Sequence, residues 1–156
     1  MIYYLNPTIM FRKILIAVND DEYARKPAET GFQLARTLNA AVGIVFVIDQ
    51  RLTVNPMDND ISPLSPLEIM ESLHREADRT LDELMGRYAG DQPAERFTPE
   101  GRPTAEILNT AESWGADLII LGTHGRSGLM QLLTGSITTY IKHHSKIPVL
   151  IVPSEH

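Results

Sequence analysis

Between Gly122 and Ser136 the chain reads Gly-Thr-His-Gly-Arg-Ser-Gly-Leu-Met-Gln-Leu-Leu-Thr-Gly-Ser, which places four of its ten glycines in one short stretch. Glycine lets backbone amides approach an anion with no side chain in the way. The apolar run DLIIL at 117–121 precedes the stretch and a helical pattern from Ser136 to His144 follows it, so it reads as a strand-to-helix loop. A helix beginning at Ser136 would add free amides and the positive end of its dipole, and phosphate is the natural guest of such a loop. Each hydrogen bond to a charged phosphate oxygen contributes about 1.5–3 kcal/mol. The same glycines would also serve a loop that merely turns, and the Ser136 hydroxyl could simply cap its helix; both uses are compatible with phosphate at the helix start.

Charge favours an anion here. The chain carries 14 basic and 20 acidic residues, a formal charge of −6, which argues against a protein whose main task is to grip a nucleic-acid backbone. From Leu118 through Ser154 there is no Asp or Glu, whereas Arg126, Lys142, Lys146, His124, His143 and His144 are all present. The glycine loop is therefore where a phosphate is least repelled. His124 lies inside the loop, where a structural and a functional role are both open, while His143 and His144 are adjacent, point to different helix faces and fit a solvated helix end better than a joint metal site.

Other chemistry is missing. The chain contains no cysteine, which excludes disulfides, thiolate metal sites and thiol nucleophiles and is consistent with a reducing cytoplasm. It has no G-x-x-x-x-G-K-[ST] phosphate loop, no G-x-G-x-x-G fingerprint and no H-E-x-x-H, and Ser127 does not fit a G-x-S-x-G nucleophile elbow. The longest apolar run, Ala40 to Ile48, is far short of the roughly 20 residues that span a bilayer, and no basic leader precedes Arg12.

The elements that must position the loop alternate. Lys13–Val18 reads as a buried strand, followed by apolar residues at helical spacing from Ala24 to Leu38, with Asp20 or Asp21 available as the cap. Ala41–Ile48 is a second strand whose unbroken apolar run fits a sheet covered on both faces. Gln50 to Pro66 has no periodicity and is assigned no structure. Ser65-Pro66-Leu67-Glu68 then supplies a capping box and a proline at the first helical position. A long helix to about Gly90, a short strand at Glu95–Thr98, a helix marked by Ile107, Leu108, Ala111 and Trp114, a strand at Asp117–Leu121, the helix from Ser136 and a strand at Pro148–Val152 complete the pattern. This order predicts an α/β fold, an open five-stranded parallel sheet with helices on both faces, doubly wound. Ligands of such folds sit outside the carboxyl ends of the strands, which singles out the loops beginning at Asn19-Asp20-Asp21 and at Gly122.

The spacing Gly122-x-x-Gly125, nine residues, then Gly135-Ser136 resembles the G-2x-G-9x-G-(S/T) signature of ATP-binding universal stress proteins. KILIAVND at the first strand, VFVID at the second, EGRPTAEI before the third helix, DLIILGTHG at the fourth strand and KIPVLIVP at the end are similar to the same family, so the likeness extends from about Met10 to Pro153. It implies an adenine-nucleotide alpha-hydrolase-like fold over residues 10–156, with 1–9 an N-terminal extension. It also implies a cytoplasmic stress-response regulatory protein that binds ATP, or ADP or AMP, and a homodimer formed through the C-terminal edge strand.

By the same resemblance, Ala17 and Val47 neighbour the adenine, and Gly122 and Gly125 wrap ribose and phosphates. Gly135 and Ser136 meet the phosphate tail, Leu121 and Ile137 flank it, and His124 and Arg126 lie within the loop. Asn19 stands where the family usually has the Asp that lies near phosphates and metal, so any magnesium would depend on Asp20 or Asp21, both of which serve equally as helix caps. The implied function is binding rather than turnover. A slow ATPase and an adaptor that docks on unidentified protein partners without nucleotide are the alternatives, and neither nucleic acid nor membrane is an expected partner.

Overall fold

The computed structural model describes residues 11–20, 22–53, 64–123 and 131–153, with 52–53 and 131–136 described by backbone alone. The Lys13–Val18 strand (β1) is the centre of the sheet. It pairs in parallel with β2 (Ala41–Phe46) from Lys13↔Ala41 to Val18↔Phe46, and on its other side with β4 (Leu118–Gly122) from Ile14↔Leu118 to Ile16↔Ile120. β3 (Ala94–Phe97) adds beyond β2, and β5 (Val149–Val152) beyond β4, giving the all-parallel order β3-β2-β1-β4-β5. The strand order reverses between β1 and β4.

Successive strand residues point to opposite faces. Ile14, Ile16, Val42, Ile44 and Phe46 pack with Ala28, Phe32 and Ala35 of α1 (Arg25–Leu38) and with Ala77, Leu81 and Leu84 of α2 (Pro66–Tyr88). Leu15, Val45, Ile119 and Leu121 pack on the opposite face with Ile107 and Ala111 of α3 (Pro103–Trp114) and Ile141 of α4 (Gln131–His144). Strands covered on both sides have no polar face, which is why β2 and β4 read as continuous apolar runs. α1 lies close on the sheet because Gly31 has no side chain: a Cβ there would stand 2.5 Å from Ile16 Cδ1.

Helix starts differ in how legible they are. The capping box at Ser65 is present as expected: the Ser65 hydroxyl accepts from the Glu68 amide at 3.2 Å, and the Glu68 carboxylate accepts from the Ser65 amide at 2.7 Å. The N-cap residue of α1 is not Asp20. A short 3-10 turn, Glu22–Ala24, leads into α1, whose N-cap is Ala24 with no side-chain hydrogen bond; Asp21 lies outside the described residues. α4 begins at Gln131 rather than Ser136, because the leucine-containing segment before Gly135 continues the helix. Gly135 and Ser136 are thus its fifth and sixth residues.

Strand bounds shift by a residue or two. β2 ends at Phe46, with Ile48 making an isolated bridge to Glu100. Asp117 stays outside β4 because its carboxylate accepts from the amides of Arg12 (2.8 Å) and Lys13 (3.0 Å), pinning the start of β1 to the start of β4. The segment read as structureless opens with a 3-10 turn at Gln50–Thr53. No described helix is long and apolar enough to cross a membrane.

Candidate nucleotide site

At the carboxyl ends of β1, β2 and β4 the structure gathers four of the apolar residues singled out by sequence. Leu121, 5% exposed, belongs to the core cluster on the α3/α4 face, and Ala17, Val47 and Ile137 are partly buried against it. Ala17 lies on β1 opposite Val45, two residues before Val47, so the two come to the same end of adjacent strands. Together they form an apolar wall, partly open to solvent at Ala17, Val47 and Ile137.

The polar members sit around this wall. Asn19 and Asp20 follow β1 and are half-buried at the point where strand order reverses. Gly122 ends β4 against the first turn of α1, and Thr123 donates its amide to the Val152 carbonyl at 3.2 Å. His124, Gly125 and Arg126 lie outside the described residues. Gly135 and Ser136 lie within α4, one turn past its start. In an α-helix the amide of residue i bonds to the carbonyl of i−4, so the amides of Gly135 and Ser136 are taken up within α4 and any free amides lie ahead of them. No group of three or more acidic or histidine side chains suited to a metal occurs among the described residues.

A second polar group at this end of the sheet was not legible in sequence. Asp49, just past β2, accepts from Arg51 Nε at 2.9 Å, from Arg51 Nη2 at 2.6 Å and from the Arg51 amide at 3.0 Å. These bonds hold its carboxyl below the usual range despite partial burial, and hold the guanidinium's proton more tightly still. Glu100, between β3 and α3, accepts from Gln50 Nε2 at 3.0 Å and shares a 2.7 Å bond with His74 Nε2 of α2. The bond from His74, then that from Gln50, lowers the Glu100 carboxyl. The partners are 26 and 50 residues from Glu100, so no local spacing reveals them.

The model of the universal stress protein family matches residues 10–153. The universal stress protein YxiE of Bacillus subtilis is 30% identical over 148 residues, covering 92% of this chain and 99% of that protein. Among solved structures, MJ0577 of Methanocaldococcus jannaschii superposes with a TM-score of 0.74 at 25% identity, over 94% of this chain and 99% of that one. A universal stress protein solved in complex with cAMP superposes at 0.65 and 19% identity, covering 93% of this chain and 98% of that one, a likeness of fold. With a matched family model over nearly its whole length and a five-stranded parallel sheet shared with solved members, the chain belongs to the universal stress protein family.

Proposed function

We propose that this chain binds an adenine nucleotide at the carboxyl ends of β1, β2 and β4 and acts as a regulatory binding protein of the stress response. The observation that carries the reading is the convergence of Ala17, Val47, Leu121 and Ile137 on one apolar wall near the point of strand reversal, beside the start of a glycine motif spaced Gly122-x-x-Gly125 whose Gly135-Ser136 lie in α4. The wall takes the base, and the glycine loop, with His124 and Arg126, takes ribose and phosphates. A fold neighbour was solved in complex with cAMP, in keeping with an adenine nucleotide as the ligand.

Binding, not turnover, is the activity. Asn19 offers a carbonyl oxygen at the β1 exit where the family pattern has a carboxylate, so the charge that would hold magnesium against the phosphates has to come from Asp20 or Asp21. A steady-state assay is expected to show negligible phosphate release with or without magnesium, and efficient turnover would refute this. The reading extends to a cytoplasmic homodimer paired through β5, the edge strand that leaves Leu150 37% exposed.

Thermal unfolding with and without ATP tests the site directly. Ligand at about 100 times its dissociation constant adds about 2.7 kcal/mol, which raises the midpoint of a domain this size by about 5–10 °C. Absence of a shift with ATP, ADP and AMP would leave the glycine loop a structural turn and favour nucleotide-independent docking on partner proteins.

A further inference from the structure

Glu100 ties together three separated parts of the chain: its own β3–α3 segment, α2 and the exit of β2. Its backbone neighbours hold the residue after Val47 from both sides: the Ile48 amide donates to the Pro99 carbonyl at 2.8 Å, and the Gly101 amide donates to the Ile48 carbonyl at 3.0 Å. Its carboxylate is divided, one oxygen on His74 of α2 and the other on Gln50 at the exit of β2. Ile48 is 2% exposed and buried on the α1/α2 face, whereas Val47 is half-buried on the other. The backbone that presents Val47 to a base is therefore fixed by two hydrogen bonds to the segment carrying Glu100, and that segment is fixed by two side-chain bonds to α2 and the β2 exit.

We propose that Glu100 is a positioning residue for the base-side wall of the nucleotide site, acting with His74 and Gln50 as a clasp. The proposal rests on the nucleotide reading above and deepens it. The His74 and Glu100 side chains are each 41% exposed, so losing one bond loosens the clasp modestly rather than unfolding the segment.

The test is the affinity for ATP, without magnesium, of the wild-type chain, E100A and E100Q. E100A is expected to bind about two- to fivefold more weakly than wild type, the range expected of exposed polar and charged pairs, and E100Q to recover most of that loss because its amide oxygen still accepts a hydrogen bond. Equal affinity of wild type and E100A, or no recovery in E100Q, would overturn the clasp and leave the nucleotide site standing. Failure of ATP to bind the wild-type chain would overturn the nucleotide reading, and the positioning role with it.

Discussion

Gly122 stands against Pro27 so closely that a Cβ on Gly122 would come within 3.3 Å of Pro27 Cγ and 3.8 Å of the Tyr23 carbonyl oxygen. The first glycine of the loop therefore has a packing duty, letting the end of β4 meet the first turn of α1, besides any contact with a ligand. Gly122→Val is expected to lower stability by about 1–3 kcal/mol through overpacking, read as a lower urea midpoint with unchanged slope. Unaltered stability would mean that α1 yields at Pro27 and that the glycine is kept for the ligand alone. Affinity lost in this variant cannot be credited to a phosphate contact until its stability is known.

The contrast between Gly122 and Glu100 shows what kind of information the chain displays locally. Strand positions, the parallel order and the α2 start were legible because each rests on an apolar run, a period or a cap within a few residues, as at Ser65–Glu68. Ala17 and Val47 were named through the family resemblance, and the parallel pairing of β1 and β2 brings them to the same end of the sheet. The start of α4 was not, since Gly135 and Ser136 look like a helix boundary while the leucines before them carry the helix on to Gln131. Nor was the Glu100 clasp, whose members come from three separated segments brought together by the β2–β3 pairing and the packing of α2.

The Asp49–Arg51 pair makes a statement about acid. Asp49's carboxyl is lowered in the folded chain chiefly by the Arg51 side-chain bond, so it contributes stability that is present above the unfolded value near 3.8 and is lost as pH falls through the folded one. Arg51 is 66% exposed, which limits the contribution to about 0.5–1 kcal/mol after solvent screening. Asp49→Asn is expected to be less stable than wild type at pH 7 by about that amount and to converge with it as pH falls below the unfolded value near 3.8. Curves of unfolding free energy against pH that stay parallel down to pH 2 would contradict this.

The two edges of the sheet differ in chemistry. β3 presents the exposed Glu95 and Arg96, a charged edge that discourages further pairing, whereas β5 presents Val149, Leu150 and Ile151. Leu150→Lys is expected to shift the mass measured by light scattering from dimer to monomer at micromolar concentration while leaving the circular dichroism spectrum unchanged. A wild-type chain that is already monomeric would remove β5 as the interface.

Because α4 runs from Gln131, the amides of Gly135 and Ser136 are engaged within the helix, and phosphate can reach them only if the first turn unwinds. The proposed site thus makes nucleotide affinity sensitive to the helix propensity of residues 131–134, ahead of the motif itself. Glycine at position 135 already weakens the helix there by about 1 kcal/mol relative to alanine, which keeps the unwinding inexpensive. Thr134→Ala strengthens the turn and Thr134→Gly weakens it, a difference of about 1 kcal/mol. ATP is therefore expected to bind the glycine variant about fivefold more tightly than the alanine variant, with wild type between them, and hydrogen exchange at 131–137 is expected to quicken when ATP is added. Equal affinities with unchanged exchange would mean that the phosphates are held by amides ahead of Gly135, with the helix start as it stands.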